Sequence, residues 1–188
     1  MTEKIIEIIE TGVDVSRILD DLKKHPEGWN AGMKAKGAQS MLTRGFPVIE
    51  AGVLQLVVGG VTNINEYVGD TEFCIPTKEI HDHPAVVEFM LKRFGRFNRC
   101  GFLSLPVGGK VGTHIDVGEY YKTKDRYHLS IQGRYKYHVG DVEIIVEPGT
   151  LFRFNNKLPH GAENIGDEVR ITFVFDVAAS EHFKNNQE

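Results

Sequence analysis

The chain has 188 residues, the length of one ordinary globular domain, so we expect a single domain over residues 1–188. Hydrophobic residues make up 41% of the sequence and charged residues 26%, a balance that excludes a wholly disordered chain. The 22 basic and 26 acidic residues give a net charge of −4, so we expect no general attraction to nucleic acid or to an anionic membrane.

The sequence pattern favours a soluble, cytoplasmic protein without a membrane partner. Acidic residues interrupt the apolar residues near the N-terminus, which is not the pattern of a signal peptide. No apolar run approaches the ~20 residues of a membrane-spanning helix. The two cysteines, Cys74 and Cys100, are too few for a disulfide scaffold.

Residues 1–99 combine helical patterns with irregular stretches. The apolar spacing predicts a helix over 14–24, which a following proline ends, and a strand over 52–58. A second helix is predicted over 84–93, with Gly95 at its end. We expect this helical and mixed N-terminal part to pack on a barrel formed by the rest of the chain.

Residues 100–178 change to short strands separated by glycine-rich turns. Closely spaced strands of this kind are typical of antiparallel sandwiches and barrels. Strands this short bury an interior only when they close into two facing sheets. We therefore predict a mainly β fold with flanking helices, a double-stranded β-helix (a jelly roll or cupin-like barrel). Its predicted strands cover 102–105, 111–116, 127–132, 135–139, 142–146, 150–154 and 169–177.

Two histidines and one aspartate of this barrel are candidate metal ligands and catalytic residues. His114 and Asp116 stand two residues apart on a predicted strand, so their side chains would share a face. His160 precedes a turn sequence centred on Ile165, and a hairpin there would make Arg170 its cross-strand neighbour. His114, Asp116 and His160 together supply the two-histidine, one-carboxylate set that binds Fe(II) and leaves coordination positions open.

Three further side chains are candidates for binding a co-substrate. Arg126 and His128 stand two residues apart on one predicted strand face, and Arg170 lies on the polar face of the last strand. A 2-oxo acid would occupy two open positions of the iron and leave one for O₂. Its far carboxylate needs a planar, permanently charged partner, which Arg170 supplies. Arg126 and His128 are placed to bind the carboxylate at the metal end.

The same part of the chain carries an ordered set of short motifs. They are Ser104, Gly112-Thr113-His114, Arg126-Tyr127-His128-Leu129, Pro148-Gly149 before the strand at 151–154, Pro159-His160, and Arg170 followed by an apolar strand that ends at Asp176. Over 76 of the 188 residues, this set resembles the aspartyl/asparaginyl β-hydroxylase family of Fe(II)/2-oxoglutarate-dependent dioxygenases. The resemblance implies a double-stranded β-helix with iron on His114 and His160. It also implies that 2-oxoglutarate contacts Arg126, His128, Arg170 and Ser104.

One departure from that family concerns the metal ligands. The animal peptide hydroxylases that name the family lack a carboxylate two residues after the first histidine, where this chain has Asp116. The complete triad resembles most 2-oxoglutarate oxygenases, including bacterial hydroxylases of free amino acids. The implied activity is hydroxylation of an amino acid, free or as a residue of a peptide or protein. O₂ is the oxidant, and succinate and CO₂ are released.

Two other functions remain open. A cupin-type metal enzyme of another reaction class, an isomerase or a different dioxygenase, would have more histidine ligands and no arginine opposite the second one. A non-catalytic jelly-roll module would use the same histidines and arginines to bind a carboxylated or sugar ligand without redox chemistry. Iron-dependent formation of succinate separates the enzyme from the non-catalytic module.

Overall fold

The computed structural model describes residues 5–30, 52–60 and 70–178, and the predicted domain over 1–188 extends beyond these ranges. Within them, three α-helices cover Ser16–Lys24 (α1), Pro84–Phe94 (α2) and Glu119–Lys122 (α3). Eleven strands cover Ile6–Glu10 (β1), Val53–Gly59 (β2), Cys74–Pro76 (β3), Cys100–Leu105 (β4), Lys110–His114 (β5), Lys124–Gln132 (β6), Tyr135–Val139 (β7), Val142–Val146 (β8), Leu151–Phe154 (β9), His160–Asn164 (β10) and Arg170–Ala178 (β11).

These strands form two facing antiparallel sheets. The larger sheet has the order β1-β9-β6-β11-β4-β2-β3, and the smaller one has the order β5-β10-β7-β8. This arrangement confirms the predicted double-stranded β-helix. The N-terminal part contributes more than packing helices, because β1, β2 and β3 extend the larger sheet on both sides. Within the described ranges, no helix combines the length and the apolar character needed to cross a bilayer.

The strand ends follow the glycines that the sequence places between them. β7 and β8 have the predicted bounds, and Gly133 and Gly140 precede them with φ angles of 81° and 55°. Glycine is the residue that adopts such angles without strain. A Cβ atom on Gly133 would also lie 2.8 Å from the Cα of Arg170. This close approach holds the start of β11 against the turn between β6 and β7.

Residues of the larger sheet alternate between two hydrophobic cores. Its outer face packs against α1 and α2 and buries side chains such as Phe102, Phe173 and Phe175 completely. Its inner face meets the smaller sheet, where Tyr137 packs against Phe154 with ring centroids 5.0 Å apart. The inner face also carries buried polar side chains. They are His128, Ser130, Arg170, Thr172 and Asp176.

The prediction that His160 and Arg170 are cross-strand neighbours is wrong. β10 pairs with β5 and β7, whereas β11 pairs with β4 and β6 in the other sheet. The turn after β10 carries the chain from one sheet to the facing one instead of closing a hairpin. Asn164 fixes this turn, because its side-chain amide donates to the carbonyl oxygen of Glu168 at 2.9 Å. His160 and Arg170 therefore enter the barrel from opposite walls.

Candidate metal centre

The two candidate histidine ligands lie side by side on neighbouring strands. β5 and β10 are antiparallel, and their register places His114 directly opposite His160. Opposed residues of an antiparallel pair share a face, and the two imidazole centroids are 4.4 Å apart. The structure thus brings together two side chains that are far apart in the sequence.

A backbone carbonyl fixes one nitrogen of each imidazole. His114 Nδ1 lies 2.8 Å from the carbonyl oxygen of Gly112, and His160 Nδ1 lies 2.9 Å from that of Leu158. A carbonyl oxygen only accepts hydrogen bonds, so Nδ1 carries a hydrogen and Nε2 is the nitrogen left to bind a metal. Burial lowers the pKa of His160 to about 4, which favours the neutral ring. Both rings are therefore held in the tautomer that a metal ligand needs.

Asp116 faces both histidines from the loop after β5. Its Oδ1 lies 4.0 Å from His114 Nε2, and its Oδ2 lies 3.9 Å from His160 Nε2. Two ligand bonds of about 2.1 Å together span about 4.2 Å, so one ion can bridge the carboxylate to either imidazole. Two imidazole nitrogens and one carboxylate fit a divalent first-row metal such as Fe(II) and leave coordination positions open.

The prediction that His114 and Asp116 share one strand face needs a correction. β5 ends at His114, and the backbone N–H of Asp116 donates to the carbonyl oxygen of Asn156 at 3.2 Å instead of to a strand partner. The carboxylate reaches the histidines because this loop bends over the barrel interior. The donor atoms of the three candidate ligands all lie within 4.8 Å of one another.

On the facing sheet, Arg170 presents a buried guanidinium with an unsatisfied donor. The residue is 1% exposed, and its guanidinium carbon lies 4.5 Å from the ring centroid of Tyr135. Its Nε makes no hydrogen bond to any of the described residues. Leaving a buried donor unpaired costs about 1–3 kcal/mol. The position therefore favours an anionic ligand that would accept from this group.

Two more polar groups lie buried on the same inner face. In the part of the chain that the structure describes, neither His128 Nδ1 nor Ser130 Oγ makes a hydrogen bond. Burial, reinforced by the charges of Arg170 and Arg126, lowers the pKa of His128 well below its ordinary value. The ring is therefore a neutral donor. Three aromatic rings at 5.0–5.1 Å enclose it, those of Tyr137, Phe152 and Phe154.

Arg126 contacts two carboxylates. Its Nε and Nη2 donate to the two side-chain oxygens of Asp176 at 2.9 and 3.1 Å, and its Nη1 lies 2.8 Å from Asp116 Oδ2. Burial acts to lower the pKa of Arg126, but the Asp116 and Asp176 charges outweigh it and raise that pKa well above its ordinary value. The structure thus places Arg126 beside the candidate metal ligand Asp116, and its guanidinium contacts the carboxylates of both Asp116 and Asp176.

Ser104 is not part of this cluster, which corrects its assignment to the co-substrate. β4 pairs with β11 so that Ser104 opposes Ile171, while Leu105 opposes Arg170. Ser104 therefore lies on the outer face, where its hydroxyl accepts the backbone N–H of Gly52 at 3.0 Å. The sequence contained a signal for this placement. Ser104 stands two residues after the apolar Phe102, and residues at this spacing in a strand share a face.

A second group of possible donor atoms lies on His25, Glu27 and Asp82, also within 4.8 Å of one another. The Glu27 side chain is 70% exposed, and its carboxylate lies 3.3 Å from His25 Nδ1. This group therefore has the character of a surface ion-pair cluster.

The barrel matches a known domain family. Residues 102–175 match the family model described as the cupin domain. This match agrees with the predicted double-stranded β-helix, a cupin-like barrel. No curated protein sequence matches the chain. The narrower resemblance to the aspartyl/asparaginyl β-hydroxylases stays a prediction.

Solved structures with low sequence identity are similar to parts of the chain. The ribosomal oxygenase YcfD of Escherichia coli is 18% identical with a TM-score of 0.44, over 72% of this chain and 42% of its own. The cupin domain of Schizosaccharomyces pombe Cnp3 is 14% identical with a TM-score of 0.38, over 46% of this chain and 60% of its own. A predicted oxalate decarboxylase of Thermotoga maritima is 14% identical with a TM-score of 0.38, over 48% of this chain and 74% of its own.

Sequence reasoning missed three residues that shape the candidate metal centre. Tyr135 contacts the guanidinium of Arg170, Asn156 donates to Asp116 Oδ2 at 3.2 Å, and Asp176 holds Arg126. Each reaches its partner across the barrel or between strands distant in sequence. Asp176 alone had a sequence signal, as the one acidic residue in the otherwise apolar stretch that ends β11.

Proposed function

We propose that the chain is an Fe(II)- and 2-oxoglutarate-dependent dioxygenase that hydroxylates an amino acid, either free or as a residue of a peptide or protein. One observation carries this proposal. A triad of metal-ligand type and a buried arginine with an unsatisfied donor share the interior of one barrel. The triad binds a cation and the arginine binds an anion, and 2-oxoglutarate joins the two because it is both a metal chelator and a dicarboxylate.

In this proposal, Nε2 of His114, Nε2 of His160 and the carboxylate of Asp116 hold the iron. The bound iron supplies the oxidative chemistry, in which O₂ and 2-oxoglutarate yield succinate, CO₂ and one oxygen atom inserted into a substrate C–H bond. The protein orients the ligands, because the carbonyl groups of Gly112 and Leu158 hold both rings with Nε2 pointing inward.

Arg170 is the residue that suits the far carboxylate of 2-oxoglutarate. Its planar guanidinium donates two parallel hydrogen bonds to a carboxylate and stays charged at any physiological pH. Binding would satisfy the Nε that has no acceptor among the described residues. His128 Nδ1 and Ser130 Oγ, which also make no hydrogen bond to the described residues, lie on the same wall and suit the remaining oxygens. The aromatic rings around His128 keep water away from these contacts.

A metal-dependent cupin of another reaction class is the second candidate. The match of residues 102–175 to the cupin domain favours it, and it would use the same three ligands without a 2-oxo acid. The buried Arg170 favours the first candidate, because a metal enzyme that acts on a neutral substrate has no use for a buried cation whose Nε makes no hydrogen bond to the described residues.

The test is a turnover assay of the purified chain loaded with Fe(II). We expect conversion of 2-oxoglutarate to succinate that needs both iron and O₂ and that His114→Ala abolishes. A panel of free amino acids and peptides, read by mass spectrometry, should contain a compound that gains one oxygen atom. Arg134→Ala is the matched arginine control, because Arg134 is paired with Glu147 on the surface. Iron-loaded protein that forms no succinate would contradict the proposal.

A further inference from the structure

Asp116 depends on its neighbours for a fixed position. It lies beyond the end of β5, between Ile115 and Val117, which are 45% and 72% exposed. A side chain in such a loop samples several rotamers unless other groups hold it. Two groups do so, because Asp116 Oδ2 lies 2.8 Å from Arg126 Nη1 and accepts from Asn156 Nδ2 at 3.2 Å.

Arg126 is itself anchored to the larger sheet. The β6–β11 register places it opposite Asp176, which is 1% exposed. The two side chains form a bidentate pair, with Nε and Nη2 as donors. The backbone of Asp176 is also fixed, because its N–H donates to the Arg99 carbonyl at 3.1 Å and its carbonyl accepts from the Asn98 side chain at 3.0 Å. Arg126 therefore presents Nη1 to Asp116 from a rigid strand pair.

The contacts distinguish the two oxygens of Asp116. Both donors, Arg126 and Asn156, contact Oδ2. Oδ1 lies 4.0 Å from His114 Nε2, and Oδ2 also lies 3.9 Å from His160 Nε2. The two contacts therefore hold the carboxylate by Oδ2 in a position where it faces both histidines.

We propose that Arg126 is a positioning residue for the metal ligand Asp116 and that Asp176 fixes Arg126 in turn. This inference rests on the proposed metal site and assigns Arg126 a role other than the co-substrate contact that the sequence predicts. Its consequence is that Asp116 would be held facing both histidines before a metal binds, so that the ion would find its three ligands already in place. Partners that orient a metal-bound carboxylate typically change metal affinity by about 10–100-fold.

The experiment measures Mn(II) binding to the full chain by EPR in the absence of 2-oxoglutarate. Arg126→Met would leave Asp176 as an unpaired buried charge, which destabilises a fold. The double variant Arg126→Met/Asp176→Asn removes both charges, and thermal unfolding confirms that it folds. We expect it to bind Mn(II) about 10–100-fold more weakly than the unmodified chain. Arg126→Lys keeps the charge but cannot hold both carboxylates. Its Mn(II) affinity should lie between those of the double variant and the unmodified chain.

The control is Arg134→Met, which removes a paired arginine from the surface and should leave Mn(II) affinity unchanged. A folded double variant with unchanged Mn(II) affinity but weaker 2-oxoglutarate binding would overturn the inference and make Arg126 a co-substrate residue. Failure of the unmodified chain to bind Mn(II) would instead refute the proposed metal site, so the two failures are distinguishable.

Discussion

Replacing Arg170 by methionine should weaken 2-oxoglutarate binding strongly. Arg170 is 1% exposed inside the barrel, and methionine fills much of the same space without a charge. Truncating one partner of a buried charge pair costs roughly 2–5 kcal/mol. At about 1.4 kcal/mol per factor of ten, the dissociation constant should rise by about 30-fold to several thousand-fold.

The same substitution should stabilise the protein without ligand. The unsatisfied Nε costs about 1–3 kcal/mol, whereas the contact of the guanidinium with the Tyr135 ring returns about 0.5–2 kcal/mol. Removing both contributions should raise the free energy of unfolding by about 1 kcal/mol. For a chain of this size, such a gain raises the melting temperature by about 2–4 °C. A substitution that weakens ligand binding and stabilises the protein identifies a residue that serves binding at a cost in stability.

Two measurements check this prediction. Isothermal titration of the Mn(II)-loaded protein gives the affinity for 2-oxoglutarate, and thermal unfolding without ligand gives the stability. Arg134→Met, at a site where the side chain is 53% exposed, is the control and should change neither quantity appreciably. If Arg170→Met lowered the melting temperature and left the affinity unchanged, Arg170 would be a structural residue and the reasoning would be refuted.

Three further predictions address the ligands, the buried histidine and the core. His160→Ala should weaken Mn(II) binding by more than about 100-fold, as measured by EPR, and undiminished binding would exclude His160 as a ligand. The lowered pKa of His128 means that the unfolded chain takes up a proton below about pH 6.5 while the native chain does not. The free energy of unfolding therefore falls as pH falls. Denaturant titrations at pH 7 and pH 5 should show that His128→Gln makes this fall about 2 kcal/mol smaller. An unchanged pH dependence in the variant would contradict this. Phe102→Ala, in the outer core, should lower the free energy of unfolding by about 3–5 kcal/mol and leave Mn(II) affinity intact; a matching loss of affinity would show that the two cores are coupled.

The sequence predicted the local elements well where turns and periodicity are unambiguous. Glycines delimit β7 and β8, and Gly95, with a φ of 68°, ends α2 one residue after the predicted end. The polar and apolar faces of β6 and β11 also follow from their alternation. β1 was not predicted, because its residues IEIIE do not alternate strictly and its partner is β9, far away in the sequence.

The parts of the site that depend on long-range topology could not be predicted. A turn sequence after His160 indicates that the chain reverses, but it does not say whether the next strand joins the same sheet or the facing one. Arg170 was therefore identified as an anion-binding candidate but placed beside His160 instead of across the barrel. The contacts of Arg126 with Asp116 and Asp176 follow only from the folded register.

The central claim is that His114, Asp116 and His160 hold one ferrous ion to which 2-oxoglutarate binds. An anaerobic titration with Fe(II) and 2-oxoglutarate, followed by visible absorption, tests it most directly. We predict one iron per chain and a weak charge-transfer band that appears only when both components are present and is absent in His114→Ala. Iron that binds without producing the band, or a band that persists in the His114→Ala variant, would contradict the claim.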